Sequence, residues 1–372
     1  MCIRDRTVAV PIANDATLED GWVQIIGKTA SGAYEDVANA VQIANGDLDG
    51  NVTVTLTAAQ FEGITGFADN EIITMNARID DVAGNTTTGT ASSTTITVDQ
   101  TAPIISYVSS DESDANPFKI GDVVPLTVKF DANVNVVTTG GIPYLDLDTD
   151  ESPGSANSTA SYNSGTGSSD IIFRYTVAAD EYSSDLNYLT RTLELNGGTI
   201  RDVAGNNLNQ TLPELTSNDA LKQRKNILID GVLPAAGTVD EVKTTGGTIM
   251  TGFWNASNTG ATVKVILSSN DASLEGGTVQ IIATINSNAA NVGNAGTISN
   301  ADVAAGFETI SLTAAQIEGH ANFTDNNNVN LDVISFTAVV TDKAGNARTH
   351  SASATTLTVD ETAPAAFTLG GV

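Results

Sequence analysis

Three prolines set the framework of this chain. The string Thr97-Val98-Asp99-Gln100-Thr101-Ala102-Pro103 returns as Thr358-Val359-Asp360-Glu361-Thr362-Ala363-Pro364, with a looser copy at Ile229-Asp230-Gly231-Val232-Leu233-Pro234. Pro103 to Pro234 is 131 residues and Pro234 to Pro364 is 130, so the punctuation repeats at the length of a domain. A second string, Asp-x-Ala-Gly-Asn, occurs once per period, at Asp81 to Asn85, Asp202 to Asn206 and Asp342 to Asn346. The expected units are residues 7–103 (incomplete), 104–233 and 234–363, with a further one begun at 364–372. Residues 1–6, Met-Cys-Ile-Arg-Asp-Arg, form a basic stub unlike anything after it and are read as foreign.

The first and third units are close relatives. Asn14-Asp15-Ala16-Thr17-Leu18-Glu19 matches Asn270-Asp271-Ala272-Ser273-Leu274-Glu275, and Val23-Gln24-Ile25-Ile26 matches Val279-Gln280-Ile281-Ile282, both at an offset of 256. The same offset joins Leu56-Thr57-Ala58-Ala59-Gln60 to Leu312-Thr313-Ala314-Ala315-Gln316, then becomes 261 at the Asp-x-Ala-Gly-Asn string, a length difference confined to one loop. Carried backwards, the offset sets Thr7 against Val263 and leaves residues 235–262 without a counterpart. The first unit is therefore expected to lack its opening strand or strands. Pro364-Ala365-Ala366-Phe367-Thr368-Leu369 echoes Pro234-Ala235-Ala236-Gly237-Thr238-Val239, so the chain is expected to stop within the first strand of a fourth unit.

Period-two alternation shared between the copies predicts strands. Ile73, Met75, Ala77 and Ile79 correspond to Ile334, Phe336, Ala338 and Val340, with mostly polar residues between them. In the middle unit Val124, Leu126, Val128 and Phe130 alternate in the same way, as do Ile171, Phe173, Tyr175 and Val177. Thr, Asn, Gly, Ser and Val are prominent, which suits pleated surfaces and turns. Half-buried strands without a helical stripe predict an all-β chain of two-sheet antiparallel sandwiches.

The net charge of −28, from 16 basic and 44 acidic residues, excludes a nucleic-acid binder working through a basic face. It also disfavours docking on anionic lipid, and no apolar run approaches the ~20 residues of a membrane span. Cys2 is the single cysteine, so no intrachain disulfide can form and cysteine usage does not fix the compartment. No secretion signal stands at the start of the sequence.

The Asp-x-Ala-Gly-Asn turn, the Val-Asp-x-Thr-Ala-Pro linker and the Leu-Thr-Ala-Ala-Gln run resemble the bacterial immunoglobulin-like repeats of very large surface adhesins. Phe118-Lys119-Ile120-Gly121-Asp122, Leu126 to Phe130, Tyr162 to Gly165 and Asn196 to Ile200 make the middle unit resemble a second subtype from such proteins. The resemblance covers nearly everything after residue 6. It implies tandem immunoglobulin-like sandwiches in an elongated array, an extracellular stalk stiffened by calcium on the bacterial surface. Its partners would be neighbouring repeats of the same chain, and a host or surface glycan or protein reached through a distal domain outside this chain.

Catalysis needs a base, nucleophile or metal held in a constellation, and the two histidines, His320 and His350, share no motif spacing. Both are expected to be ordinary surface or loop residues. Gly27-Lys28-Thr29 has Trp22 where a phosphate loop needs its first glycine, and no nucleophile elbow or His/Cys metal cluster occurs. An enzyme is not expected.

Asp outnumbers Glu about two to one, which suits short loops that ligate hard cations such as calcium. Asp146-Leu147-Asp148-Thr149-Asp150 opens like an EF-hand but continues with Glu151 in place of the glycine and Asn157 in place of the final glutamate, so it reads as a solvated strand face. Asp47-Leu48-Asp49-Gly50-Asn51 shares only its glycine with unit three, as Gly306, and reads as a hairpin turn. The repeated Asp of each Asp-x-Ala-Gly-Asn can simply accept turn amides. Strand parity adds a sharper role, because the turn must lie beside the preceding linker. Asp202 is then expected near Asp99 and Asp342 near Asp230, pairs that a calcium ion could join, with Asp81 and Asp360 at the equivalent places on the truncated ends. At the second joint Lys222, Arg224 and Lys225 could neutralise the acids instead. The rival function is a carbohydrate-binding repeat of a secreted polysaccharide-acting protein, whose ring platforms would be Trp22, expected to face solvent, and Trp254, in a loop-like stretch.

Overall fold

The computed structural model describes residues 6–112, 116–151, 157–325 and 331–369, so Cys2 lies outside the described residues. Buried apolar side chains fall into three separate clusters, one within each of the three segments called units one, two and three below.

Unit one contains β1 (Arg6–Pro11), β2 (Trp22–Lys28), β3 (Asn51–Leu56), β4 (Ile72–Asp80), β5 (Thr86–Thr88) and β6 (Thr95–Thr97). β1 pairs with β3 alone in one sheet, while β2 pairs with β4 in the other and β4 carries β5 and β6. Between β3 and β4 lies a short helix, α1 (Ala58–Glu62).

Unit two contains β7 (Ile105–Ser109), β8 (Phe118–Lys119), β9 (Val123–Val137), β10 (Tyr144–Leu147), β11 (Ser158–Ser164), β12 (Ser168–Thr176), β13 (Tyr182–Ser183), β14 (Thr199–Asp202), the turn of helix α2 (Leu221–Arg224) and β15 (Ile229–Asp230). Its larger sheet runs β10-β11-β12-β9-β14 with β7 on β9, and its smaller one runs β8-β15-β13.

Unit three contains β16 (Val239–Thr245), β17 (Phe253–Trp254), β18 (Gly260–Ile266), β19 (Thr278–Ile285), α3 (Asn300–Ala305), β20 (Phe307–Thr313), α4 (Ala314–Glu318), β21 (Val333–Thr341), β22 (Ala347–His350) and β23 (Leu357–Val359). One sheet is β16-β18-β20, and the other runs β17-β23-β21-β19 with β22 on β21.

The alternating apolar residues do face inward. Val124, Leu126, Val128 and Phe130 are buried, as are Ile334, Phe336, Ala338 and Val340, and each set interdigitates with the facing sheet of its unit. Ile73 and Met75 are buried in unit one, but Ala77 and Ile79 are only half-buried.

Several local expectations are corrected. Val8, not Thr7, stands opposite Val54 as Val263 stands opposite Ile310, so the offset in β1 is one residue shorter than the downstream repeats imply. A one-residue slip would have turned the apolar face outward, and the buried Val10 and Val52 fix the register. β1 starts at Arg6, a residue the sequence places with the stub. Gly50 and Gly306 do not make hairpin turns: Gly306 is the left-handed C-cap of α3, with φ 76°, and Gly50 follows a single helical turn at Asn45–Asp47. His320 and His350 are both buried, not on the surface. Trp254 lies in strand β17, fully buried, with its indole N–H donating to Glu361 Oε1 at 3.1 Å. Trp22 does face solvent, at 44 % exposure.

Candidate metal centre at the joints

The Asp-x-Ala-Gly-Asn turn builds the same small cage three times. In unit two, Gly205 N–H and Asn206 N–H both donate to Asp202 Oδ1, at 2.6 and 2.8 Å, and Asn206 Nδ2 donates to Asp202 Oδ2 at 2.9 Å. In unit three, Gly345 N–H and Asn346 N–H each reach Asp342 Oδ1 at 2.8 Å, and Asn346 Nδ2 reaches Oδ2 at 2.9 Å. Asp81 holds Asn85 in the same way on an exposed turn, and these hydrogen bonds lower its pKa. Glycine is required because Gly84, Gly205 and Gly345 take φ between 86° and 102°. The turn role of the aspartates is thus present in every copy.

Two of the three turns also reach into the preceding linker, and the side chain that does so is the asparagine. Asn206 Nδ2 lies 3.0 Å from Asp99 O, 3.2 Å from Asp99 Oδ1 and 3.2 Å from Thr101 O, besides Asp202 Oδ2. The carboxylates of Asp99 and Asp202 are therefore both within contact of one nitrogen. At the second joint Asn346 Nδ2 donates to Asp230 O at 2.8 Å, while Asn346 Oδ1 accepts the Ile120 N–H at 3.0 Å. One amide there ties together the adjacent ends of two strands of unit two's smaller sheet, where β8 and β15 pair in parallel.

The two joints differ as cation sites. An NH₂ group has two hydrogens, yet Asn206 Nδ2 faces four oxygens, two of them carboxylate. This is a hard-oxygen donor set of the kind calcium takes. The Asn346 amide has two acceptors for two hydrogens and a donor for its oxygen, so it leaves no surplus. The carboxylate of Asp230, a residue 4 % exposed, accepts Val232 N–H at 3.1 Å, and its pKa is pushed up to about 6, first by burial and then by the nearby Asp342 and Asp271. The first joint therefore gathers more oxygens than its amide can use, and the second gathers no surplus. Among the described residues no three His, Cys, Asp or Glu side chains gather as they would in an all-carboxylate cage.

Of the three bases offered as neutralising charge, Lys222 acts on Asp148, and the other two are engaged within unit two. Arg224 stacks 3.8 Å over Tyr107 and pairs with Asp219, and Lys225 Nζ donates to Glu112 O. Asp360 follows β23, and its N–H donates to Trp254 O; its Oδ1 is buried and without a partner. Asp69 and Asp325 are joint residues the sequence reading passed over. Asp69 accepts Thr101 Oγ1 at 2.6 Å and Asp325 accepts Thr362 Oγ1 at 2.5 Å, so each fastens its linker threonine. The signal was available, since the two lie 256 residues apart in matching Phe-x-Asp-Asn strings. In the acidic strand of unit two, Leu145 and Leu147 are buried, and Asp148 is raised in pKa by burial and by its bond to Asp150, as on a strand flank.

No protein-family model matches the chain, and no curated protein matches it. Among solved structures, a 1.5-MDa bacterial ice-binding adhesin, described for its host cell surface retention, is 12 % identical with a TM-score of 0.31, covering 96 % of this chain and 98 % of that one. Domains A168–A170 of titin are 10 % identical with a TM-score of 0.31, covering 96 % and 94 %. The FN1–FN3 domains of chicken CNTN1 are 10 % identical with a TM-score of 0.26, covering 96 % of both chains. The chain is similar in this way to tandem β-domain proteins, and the fold rests on its own strands and cores.

Proposed function

We propose that this chain is a stretch of non-catalytic spacer repeats from a large bacterial surface adhesin, set outside the cell, with calcium stiffening its first joint. The observation that supports this reading is the Asn206 clasp, which ties a turn of unit two to the linker of unit one inside a shell of four oxygens. Asp99, Asp202 and the Thr101 carbonyl would hold the ion, with the Asn206 amide turned so that its oxygen joins them. The ion's contribution would be to cancel the repulsion of the two carboxylates. The asparagine, the aspartates and the linker backbone supply the alignment themselves. A spacer needs this kind of joint, because tandem units on loose linkers would not hold a distant module at fixed reach.

Small-angle scattering and thermal unfolding of the full chain, in calcium and in chelator, test the proposal. Calcium should raise the unfolding temperature and lengthen the maximum dimension, and Asp202→Ala should remove both effects while Asp342→Ala leaves the calcium response intact. No response to calcium in either measurement would leave these residues as turn formers. The carbohydrate-binding reading now rests on Trp22 alone, since Trp254 is closed inside its unit. Glycan-array binding lost in Trp22→Ala would revive it.

A further inference from the structure

Units two and three enclose a cleft of about 530 Å³, a size typical of small-molecule sites, which gather at domain interfaces. One wall is the smaller sheet of unit two. There Tyr182 of β13 stands directly opposite Asp230 of β15, and residues opposite one another across a strand pair put their side chains on the same face. The half-buried Pro117, Leu228 and Val232 continue this wall. The other wall is a loop of unit three at 270–273, braced from both sides. Asp271 Oδ1 accepts Ser273 N–H at 3.1 Å and Ser273 Oγ at 2.5 Å, and Lys343 N–H donates to Ser273 O at 2.9 Å. The Asn346 amide ties the two units together across the joint.

Asp230 is the unbalanced group in this cleft. It is 4 % exposed, yet among the described residues no cation pairs with it. Its Oδ1 accepts Val232 N–H, and its Oδ2 takes no hydrogen bond. The charged groups nearest to it are Asp342 and Asp271, both acids. Asp342 is engaged by Gly345 and Asn346 of its own turn, and Asp271 by Ser273. Glu151 adds a further acid to the lining, against the single base Lys343, which is exposed and makes no ion pair. A carboxylate withdrawn from water without a partner is costly, and a cation brought to it offsets much of that cost. A cleft lined mainly by one sign of charge also concentrates counter-ions.

The lining selects the kind of cation. Calcium needs six to eight oxygens around one point, and among the described residues no three acids converge in that way. Acids set apart in a mainly apolar lining suit an elongated organic cation instead. An ammonium carries three donors where Asp230 Oδ2 has none, and the face of an aromatic ring such as Tyr182 attracts it further. We propose that the cleft between units two and three binds a short aliphatic diamine, with one ammonium on Asp230 Oδ2 beside Tyr182 and the chain along Pro117, Leu228 and Val232. The second ammonium lies toward Glu151 and Asp271. This site does not depend on calcium at the first joint, which shares none of these residues.

Isothermal titration calorimetry of the full chain with 1,5-diaminopentane, at neutral pH in chelator, tests this. The expected result is saturable binding of one diamine per chain, with no binding of 1,5-pentanediol, which has the same chain and no charge. Asp230→Asn keeps an oxygen for the Val232 N–H and should weaken binding at least about tenfold. The exposed Lys343→Gln should strengthen it about twofold or more by removing a like charge. Weaker binding in Lys343→Gln would mean that the cleft takes an anion or a zwitterion and would overturn the proposal. Equal binding of the diol, or a diamine response that Asp230→Asn leaves unchanged, would overturn it too, as would no saturable binding up to millimolar diamine. Calcium titrated in place of the diamine is the last arm. A calcium response lost in Asp230→Asn would make the cleft an ion site and not an amine site, whereas a calcium response lost only in Asp202→Ala belongs to the first joint and leaves the proposal standing.

Discussion

Asp230 and His350 are buried ionisable groups whose pKa values move in opposite physical senses, and pH should separate them. Asp230 faces Asp342 and Asp271, with Lys343 lining the same interdomain cleft. Its folded pKa of about 6 stands above an aspartate's usual 3.8, so the folded joint binds the proton more tightly than the unfolded chain. That contribution is full below pH ~4 and is lost as pH rises to ~6. Asp230→Asn should therefore stabilise the chain at neutral pH by of order 1 to 3 kcal/mol and flatten denaturant midpoints between pH 4 and pH 6. His350 is held below its usual 6.5 by burial, which outweighs the opposing pull of the Ala235 backbone. It must stay neutral to remain packed, so unit three should lose stability as pH falls below ~6.5. His350→Gln should reduce that acid sensitivity, and a profile unchanged by either substitution would show that these groups are not the source of the pH dependence.

At the scale of single elements, the repeated Leu-Thr-Ala-Ala-Gln run is a helix start. Thr313 N–H donates to Gln316 Oε1 at 2.8 Å and Gln316 N–H returns to Thr313 Oγ1 at 3.3 Å, while in unit one Thr57 N–H reaches Gln60 Oε1 at 2.7 Å. The one apolar anchor is Phe61 in α1 and Ile317 in α4, both buried. Five-residue helices carry too few positions for a stripe, so their only sequence signal is the Thr-x-x-Gln box. Thr313→Ala should cost about 1 kcal/mol by urea denaturation. A larger loss is expected at β17, where Trp254 packs edge-on against Phe323 and closes the sheet beside β23. Trp254→Ala should cost about 3 to 5 kcal/mol.

For the whole molecule, unequal closure of the sandwiches gives an order of stability. Unit three has both β16 and β17 over its core, and unit one has neither among the described residues, with Ala77 and Ile79 left half-covered. Hydrogen exchange of the full chain should show the slowest amides of β2 and β4 exchanging through smaller openings than those of β19 and β21. Equal protection would mean that the uncovered edge costs unit one nothing. The joints add a second asymmetry. Asn346→Ala removes a side chain bonded to two neighbouring strands of unit two's smaller sheet, so scattering should show a more flexible chain whether or not calcium is present. Loss of Asn206 should act mainly through the calcium response.

The period of the prolines, the Asp-x-Ala-Gly-Asn turns and the inward alternation of residues such as Leu126 and Phe336 were legible because repetition and period-two patterning are properties of the chain itself. Positive φ at the turn glycine, and the carboxylate that caps it, belong to the same local order. The one-residue register of β1, the burial of His320, His350 and Trp254, and the division of labour at the joints were not legible. Each depends on a partner remote in sequence: Val54 for Val8, Gly237 for His350, Glu361 for Trp254. The aspartates could be placed near one another from strand parity alone. That the asparagine is the side chain bridging them, satisfied at one joint and surrounded by oxygens at the other, follows only when Ile120, Asp99 and Thr101 are brought to it by the fold.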